Sequence, residues 1–422
     1  MGSAASLLAD LDARGLIQDS TDRVELAALL DPGGVSLYCG FDPTSDSLHV
    51  GNLQQILLLR RFQLAGHRPI ALAGGATGMI GDPGGKSSER PLLDLDELDA
   101  NLAAITAQLG RFLDFDAGGV SARLVDNRTW TQPMGVLEFL RDVGKHMTVN
   151  TMLGKDSVRS RIEREDGISF TEFSYMLLQA NDFHVLHTTE GCDLQVAGSD
   201  QWGNITAGID LIRRRLGHTV HGLTSPLLLR SDGQKFGKSE GGALWLDRAK
   251  TSPYQLYQYF LRSDDRDVAT MLLRLTLVPV DEIHEEISRH GADPAARGAQ
   301  RRLARELVGL VHGDAVVTPV EAASSVLFGG DPTTAGPEAF ELLESEIPTT
   351  HVAPADLADL PGLLVRAGLA KSKGEVRRNP AGYHVNGVPV GDRGALDEAD
   401  LLHTRYVLLR RGKASHGLAI VS

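Results

Sequence analysis

Hydrophobic residues near the start of the chain change their spacing at a single point. Residues 35–41 form an apolar, β-prone run that is typical of a buried strand. A loop of proline and small polar residues follows, and apolar side chains then recur at the spacing of a helix face, at Leu53, Ile56, Leu57 and Leu64. The pattern predicts a strand that leads through a short loop into a helix beginning between Leu48 and Gly51.

Strands and helices continue to alternate through the first half of the chain. Short apolar strands are predicted at 69–73, at 123–125 and from residue 195, and helices over 94–113 and 168–183. Residues 130–150 mix helical and polar positions and are interpreted as an insertion between two halves of the sheet. This alternation predicts an α/β fold with a parallel sheet, in which ligands bind at the carboxyl ends of the strands.

The second half of the chain has a different pattern. Helical spacing begins at Thr251 and predicts helices over 254–261, 268–276, 280–290 and 297–311. Residues 347–354, rich in proline and threonine, are interpreted as part of a linker. Residues 360–422 predict two helices and a hairpin, and Pro380 is expected to end the second helix early.

The loop between the first strand and its helix carries candidate chemistry. His49 and Asn52 lie three residues apart, so both can face one ligand from the first helical turn. The unpaired N–H groups and positive dipole end of a helix favour anions such as phosphate. Gly51 leaves room for a ligand beside the backbone. A helix start with one surface histidine is the alternative interpretation of so short a motif.

Two glycine-rich segments could supply further phosphate ligands. Lys235 and Lys238 lie three apart in the segment KFGKS and could close on a polyphosphate, or else belong to a solvated basic loop. In residues 74–90, Asp82 could accept from an ammonium group and Lys86 and Arg90 could meet phosphates, the alternative being a flexible surface loop. A P-loop is rejected because isoleucine occupies the position of that motif's first glycine.

A polar stripe on an otherwise apolar helix is the third candidate. Tyr175, Gln179 and Asp182 recur at helical spacing, and such a stripe is either a solvent face or the wall of a polar pocket. Hydroxyl, amide and carboxylate groups together suit an amino-acid ligand. Asp200, at the turn after the next predicted strand, could bind ribose hydroxyls.

Composition narrows the class of protein. The chain has 422 residues, a formal charge of −13 and no apolar run that approaches the roughly 18 residues of a membrane span. Its two cysteines are too few for a disulfide framework and the N-terminus lacks a signal-peptide pattern, so a cytoplasmic location and no association with a membrane are expected.

Residues 360–422 carry ten Lys and Arg against five Asp and Glu, a net charge of +5, so the rest of the chain carries −18. This basic end favours a polyanionic partner, with an incidental charged tail as the alternative.

Five segments, taken together, resemble a known family. They are YCGFDPTSDSLHVGNL, GGATGMIGDPGGKSSER, ISFTEFSYMLLQANDF, AGSDQWGNI and KFGKS. The first and the last resemble the HIGH and KMSKS signatures of class I aminoacyl-tRNA synthetases. All five, in this order, resemble bacterial-type tyrosyl-tRNA synthetases, and the resemblance covers essentially the whole chain.

The resemblance implies an α/β protein with a Rossmann-like parallel-sheet catalytic domain, followed by an all-helical domain and a small α+β RNA-binding module. The implied bounds are 1–228 for the catalytic domain with a dimer-interface insertion at about 126–165, 229–245 for the KFGKS loop, 246–346 for the helical anticodon-arm domain, 347–358 for a linker and 359–422 for the RNA-binding module.

The resemblance also implies roles for individual residues. Tyrosine-binding residues would be Tyr38 and Asp182 at the phenolic hydroxyl, with Asp82, Tyr175, Gln179 and Gln201 around the ammonium and carboxylate groups. Catalytic residues that hold the phosphates would be Thr44, His49, Asn52, Lys86, Arg90, Lys235 and Lys238. Further ATP-binding residues would be Cys39, Gly40, Asp42, Gly51, Gly198, Asp200, Phe236, Gly237 and Ser239. RNA-binding residues would be Lys371, Lys373, Arg377 and Arg378.

The implied reaction needs no protein nucleophile, because the carboxylate of L-tyrosine itself attacks the α-phosphorus of ATP. Tyrosine then passes to the 3′-terminal adenosine of tRNA(Tyr). Mg²⁺ would accompany ATP, no metal site of the protein's own is expected, and the family implies a homodimer.

This chain departs from the family at Asn52, where a second histidine is common, and at residues 379–382, where the last module is shortened. A tryptophanyl enzyme, which lacks the Tyr38 and Asp182 pair, and an RNA-binding paralogue with altered chemistry remain alternatives.

Overall fold

The computed structural model describes most of the chain. The described residues are 4–82, 94–155, 158–159, 162, 167–229, 231, 233, 236, 238–239 and 242–422, without the side chains of residues 4, 5, 238, 239 and 242. The chain forms two compact units, one of Met1–Lys250 with Asp264–Ala299 and the other of Thr251–Ser263 with Gln300–Ser422.

A mainly parallel sheet forms the centre of the first unit. Its strands are β1 Asp19–Ser20, β2 Ser36–Phe41, β3 Arg68–Ala73, β4 Arg123–Asp126, β5 Cys192–Gly198 and β6 His221–Ser225. They lie in the order β1-β6-β5-β2-β3-β4, and every neighbouring pair is parallel except β1 with β6. The chain thus leaves β2 toward one edge of the sheet and β5 toward the other. The gap between the carboxyl ends of β2 and β5 is the switch point at which such sheets bind ligands.

In the first unit, α3 (Val50–Leu64) and α4 (Leu95–Phe112) have bounds close to those predicted from the sequence. Those in the described part of the chain are α1 Ala4–Ala13, α2 Arg23–Leu30, α3 Val50–Leu64, α4 Leu95–Phe112, α5 Arg128–Thr131, α6 Val136–Asp142, α7 Val149–Leu153, α8 Phe170–Glu190, α9 Trp202–Leu216, α10 Pro253–Leu261, α11 Asp265–Leu275, α12 Val280–Ala292, α13 Gly298–His312, α14 Val317–Leu327, α15 Pro337–Leu343, α16 Leu360–Arg366 and α17 Lys373–Arg378. None of the described helices combines the length and the hydrophobicity needed to cross a bilayer.

Helix α8 shows how local sequence sets an element's bounds. The Ser169 hydroxyl accepts from the Glu172 N–H at 3.2 Å and caps its start. Gly191, with a φ of 59°, ends it in the left-handed conformation that glycine adopts at little cost. Inside the unit, Phe183 of α8 and Ile212 of α9 pack with strand residues such as Ile70 in one apolar cluster. The helix is longer than the 168–183 prediction and places its polar stripe against the sheet.

A second sheet organises the second unit. Its strands are β9 Thr349–Val352, β10 Tyr383–Val385, β11 Val388–Pro389, β12 Tyr406–Arg411 and β13 Ser415–Val421, in the order β11-β10-β12-β13-β9. The prediction of a linker over 347–358 is wrong for β9, because its four residues pair in parallel with 418–421 of β13. That pairing joins residues far apart in sequence, and a local composition signal cannot contain it.

The core of the second unit also crosses the predicted boundaries. Side chains of α14 and α15, including Ala323 and Phe340, share one buried cluster with Tyr406, Leu418 and Ile420 of the sheet. Residues from both sides of the bounds at 346 and 359 therefore build a common core. The predicted early end of the last helix is confirmed, since α17 ends at Arg378 before Pro380.

Candidate active site

A cavity of about 250 Å³ opens at the switch point of the first sheet. Thirteen of the predicted site residues line it: Tyr38, Cys39, Gly40, Asp42, Gly51, Asn52, Asp82, Tyr175, Gln179, Asp182, Gly198, Asp200 and Gln201. Gln55, Leu72, Thr77, Gln195, Ala197 and Leu227 complete the lining. Most of these residues come from β2, β5, α3 and α8 or from the loops that follow the strands, so the fold gathers segments that are far apart in sequence.

Asp182 is a buried carboxylate held by two donors. The Trp130 Nε1–H donates to its Oδ1 at 2.8 Å, and the Asn127 Nδ2–H donates to its Oδ2 at 3.0 Å. Asp182 is only 2% exposed. Burial raises its pKa to about 7, against the two hydrogen bonds, which favour the charged form. The carboxyl group therefore changes its charge near neutral pH.

The Tyr38 hydroxyl is the second polar group in this part of the cavity. It is buried, and it has no hydrogen-bond partner among the described residues. Burial, and next the charge of Asp182, raise the pKa of Tyr38 well above its ordinary value, so the group stays an O–H donor. A buried hydroxyl without a partner costs about 1–3 kcal/mol, which a ligand oxygen placed here would recover.

Asn127 is a site residue that the sequence interpretation missed. It is fully buried, and its amide also donates to the Thr77 hydroxyl at 3.1 Å and accepts from the Ala76 N–H at 2.7 Å. These three contacts fix the amide, so its NH₂ group must face Asp182. Asn127 directly follows β4, and its place at the carboxyl end of a strand was the signal that could have found it.

The polar stripe of α8 does not face solvent. The Tyr175 hydroxyl donates to Asp42 Oδ2 at 2.8 Å, and the Thr77 hydroxyl donates to Asp42 Oδ1 at 2.7 Å. Tyr175 is 5% exposed, and burial, followed by the nearby Asp42 charge, raises its pKa well above the ordinary value. The solvent-face alternative is therefore wrong for Tyr175 and Asp182, and the stripe is a pocket wall.

Amide groups form a connected network on another wall. The Asn204 amide donates to Gln179 Oε1 and to Gln201 Oε1, each at 3.0 Å. The Gln201 amide donates in turn to Asp82 Oδ2. Three predicted residues are thus brought together by Asn204, which is 8% exposed and was not predicted as a site residue. An ammonium or carboxylate group entering here would meet acceptors and donors that are already oriented.

The first turn of α3 joins the cavity wall. His49 is the N-cap residue, and its N–H donates to Asn52 Oδ1 at 3.1 Å. Because this contact uses the amide oxygen, the NH₂ group of Asn52 is left for the cavity that the residue lines. A Cβ at Gly51 would lie 2.8 Å from His49 Cε1, so a larger residue at this position would displace the imidazole ring. Gln55 donates to the Ser225 hydroxyl at 2.8 Å and ties α3 to β6.

Other predicted residues lie elsewhere or outside the description. Thr44 is exposed and His49 half-buried, and neither lines the cavity. Phe236 is buried and its N–H donates to the Leu228 carbonyl. The residues that lie outside the described part are Lys86, Arg90, Lys235 and Gly237. The backbone of Lys238 and Ser239 forms β7, which pairs with β8, Gly242–Ala243.

Cys39 faces the cavity as a neutral thiol. It is 2% exposed, and burial, followed by the charge of Asp200, raises its pKa to about 12. A thiol that stays protonated at neutral pH is a poor nucleophile. Its chemistry suits hydrogen bonding to a ligand hydroxyl rather than covalent catalysis.

The four predicted RNA-binding cations lie in the second unit, in or beside α17. Lys371, Lys373, Arg377 and Arg378 are all exposed. The Lys373 ammonium pairs with Asp359 at the surface. In the described parts of the chain, no group of three or more His, Cys, Asp or Glu side chains is arranged to hold a metal ion.

Comparison with known proteins assigns the family. A family model for class I tRNA synthetases (W and Y) matches residues 32–329. A tyrosine–tRNA ligase of Opitutus terrae is 53% identical over 97% of this chain and 98% of its own, and one of Anaeromyxobacter dehalogenans strain 2CP-1 is 50% identical over 99% of both. The crystal structure of a C-terminally truncated mitochondrial tyrosyl-tRNA synthetase from Aspergillus nidulans is 33% identical, with a TM-score of 0.69 over 76% of this chain and 94% of that one. The predicted family and α/β fold are confirmed, and the chain belongs to the tyrosine–tRNA ligases, a family of class I tRNA synthetases.

Proposed function

We propose that the cavity binds L-tyrosine and ATP, forms tyrosyl-adenylate and pyrophosphate, and then transfers tyrosine to the 3′-terminal adenosine of tRNA(Tyr). The observation that carries this proposal is the buried Asp182 carboxylate, held by Trp130 and Asn127, in a cavity that also contains the Tyr38 hydroxyl. An acceptor and a donor are then available for one phenolic group. The Tyr38 O–H would donate to the phenol oxygen, and the phenol O–H would donate to Asp182.

Selection against phenylalanine follows from the same two groups. Tyrosyl-tRNA synthetases are a well-known example of a general rule: a site built to bind a substrate hydroxyl rejects the analogue that lacks it. With phenylalanine bound, the buried Tyr38 hydroxyl would stay unsatisfied, at a cost of about 1–3 kcal/mol. Asp182, still held by Trp130 and Asn127, would lack the third hydrogen bond that the phenol O–H would donate. Tryptophan would bring a larger ring to the position of the phenol. Its indole N–H can donate but cannot accept a hydrogen bond from Tyr38.

The remaining walls would orient the reacting groups. Asp82, Gln179 and Gln201, joined through Asn204, would hold the ammonium and carboxylate of tyrosine. Asp42 anchors Tyr175 beside them, while Cys39, Gly198 and Asp200 would border the ribose and adenosine. The substrate carboxylate is then the nucleophile, which agrees with a protonated Cys39.

Charge on the phosphates grows as pyrophosphate leaves, so preorganised donors supply the catalysis. The N-terminus of α3 reaches the cavity through Gly51 and Asn52, while His49 is the N-cap residue beside it and Thr44 lies in the loop between β2 and α3. We assign Lys86, Arg90, Lys235 and Lys238 to the same phosphates on the strength of the motifs. Mg²⁺ would enter with the phosphates of ATP, neutralising part of their charge.

Binding of the tRNA is proposed for the second unit and its basic residues. The exposed cations around α17 suit a phosphate backbone, where each contact adds salt-dependent affinity. The helices between 246 and 346 would face the anticodon arm, and 359–422 would remain the RNA-binding part. These functional bounds stay a proposal, because the two structural units divide the chain at other positions.

We also propose that two copies of the chain associate through the insertion at about 126–165. Inner side chains of this region, such as Val143 and Met152, pack against α8 and α9 in one cluster. Large apolar side chains nearby are exposed instead: Val136 75%, Leu137 82%, Leu140 51%, Val149 59% and Phe170 78%. So many exposed apolar side chains on neighbouring elements are typical of a protein interface. Sedimentation velocity of Leu137→Asp would give a monomer, and an unchanged sedimentation coefficient across the dimer range would refute this interface.

Amino-acid-dependent exchange between ATP and pyrophosphate tests the proposed reaction. Exchange driven by tyrosine and not by phenylalanine or tryptophan is the expected result. Exchange driven by tryptophan would favour the tryptophanyl alternative, and no exchange with any amino acid would favour an RNA-binding paralogue. Asp182→Ala is the matched variant, which should lose tyrosine-driven exchange while remaining folded by circular dichroism.

A further inference from the structure

The segment after the lysine motif pairs with the signature segment, residues 46–52. The Val50 N–H donates to the Leu244 carbonyl at 2.9 Å, and the Leu246 N–H donates to the Leu48 carbonyl at 2.8 Å. These two bonds form an antiparallel bridge in which Trp245 lies opposite His49. In this arrangement the central pair carries no hydrogen bond of its own, and its two side chains lie close together on one face.

The Trp245 side chain contacts His49 directly and is linked to Asp46 through Lys250. Its ring centroid lies 6.2 Å from that of His49, with the planes tilted by 56°. The Lys250 ammonium lies 4.8 Å from the centroid of the same indole ring and pairs with the Asp46 carboxylate, three residues before His49. Trp245 is half-buried by these neighbours. The indole therefore limits the positions that the imidazole can take.

The bridge also continues directly from the β7–β8 strand pair, whose first strand contains Lys238. Strand β8 ends at Ala243, and the bridge begins at Leu244, so no flexible residue separates them. A displacement of β7, which carries Lys238, would be passed to Trp245 through the hairpin. The two segments expected to hold the triphosphate are thus joined by backbone hydrogen bonds.

We propose that Trp245 is a positioning residue for His49 in the activation step. This inference rests on the proposed function, because it assumes that His49 donates to the phosphates of ATP. Stabilisation of developing charge depends on donors fixed in place before the reaction, so a freely rotating imidazole would lose much of its effect. Trp245 does not line the cavity and would act only through His49.

A purely structural role for Trp245 makes different predictions. A tryptophan that only stabilises the fold would, when replaced, lower the melting temperature and weaken all ligands together. A positioning residue would instead lower kcat of tyrosine-dependent exchange while KM for tyrosine stays nearly constant. Its loss would also have no further effect once the His49 side chain has been removed.

The experiment is a double-mutant cycle of Trp245→Ala and His49→Ala in the full-length protein, measured by ATP–pyrophosphate exchange. We expect Trp245→Ala to lower kcat by about tenfold or more, with KM for tyrosine within about twofold, and the double variant to be no slower than His49→Ala alone. Trp245→Phe, which keeps an aromatic ring beside the imidazole, should restore most of the rate. Phe115→Ala, which removes another half-buried aromatic side chain away from the cavity lining, should match the wild type.

Three outcomes would overturn the inference: wild-type kcat in Trp245→Ala, independent losses that multiply in the double variant, or a loss in Trp245→Phe as large as in Trp245→Ala. If Trp245→Ala does not fold, Trp245→Leu takes its place in the cycle, because it retains more of the packing volume. Failure of the proposed function would look different, since the wild type itself would show no tyrosine-dependent exchange.

Discussion

Tyrosine affinity should depend steeply on pH because of one carboxyl group. Burial raises the pKa of Asp182 to about 7 in the free protein. The proposed complex needs the charged form, because the phenol O–H donates to the carboxylate. Below neutral pH, tyrosine binding must therefore remove a proton from Asp182, and the cost of that deprotonation weakens binding.

The size of the effect follows from the pKa. Each pH unit below the pKa costs about 1.4 kcal/mol, which is a tenfold loss of affinity. Between about pH 8 and about pH 5 the dissociation constant of tyrosine should rise about 100-fold, with the change confined to the region below about pH 7. The ammonium and carboxylate groups of the amino acid keep their charges over this interval.

Isothermal titration calorimetry without ATP, at a series of pH values, measures this dependence. The number of protons released on binding should approach one at acid pH and zero above neutral pH. Asp182→Asn is the matched control, because it keeps the shape of the side chain without a titrating group. Its weaker affinity should be independent of pH. A wild-type affinity that stays flat, or that improves as the pH falls, would show that tyrosine does not bind to the charged carboxylate.

Three further variants test separate parts of the proposed function. Asn127→Ala should weaken tyrosine binding by about tenfold, because Asp182 loses one donor and the Ala76 N–H loses its acceptor, and calorimetry at neutral pH would measure it. Tyr38→Phe should reduce the tyrosine-over-phenylalanine ratio of kcat/KM in exchange by about tenfold or more, and an unchanged ratio would count against the phenol contact. Arg377→Glu together with Arg378→Glu should lower tRNA charging and leave exchange unchanged, with Arg111→Glu, an exposed cation of the first unit, as the control.

The local sequence pattern was sufficient to predict the elements that line the cavity. The apolar run that became β2, and the helical spacing that became α3, placed His49 and Asn52 at a helix start, where the structure has them. The stripe of Tyr175 and Asp182 also followed from spacing along one helix. In each case the information lies within about twenty neighbouring residues, the range over which periodicity can be detected.

Long-range pairing could not be predicted in this way. The composition of residues 347–354 indicated a linker, and strand β9 could not be predicted there because its partner, β13, lies more than sixty residues later. Asn127 does not belong to a stripe of polar residues at helical or strand spacing. Its role depends on a hydrogen bond to Asp182, which is 55 residues away. The bridge between Trp245 and His49 likewise joins segments that no local signal connects. These contacts exist only once the sheets have formed.

The most direct measurement of the central claim is a crystal structure of the protein with bound tyrosyl-adenylate. Our account predicts the phenol oxygen within hydrogen-bond distance of both Tyr38 Oη and an Asp182 oxygen, and the phosphate of the adenylate beside the first turn of α3. A tyrosyl ring bound elsewhere, or a phenol oxygen in contact with neither side chain, would contradict it.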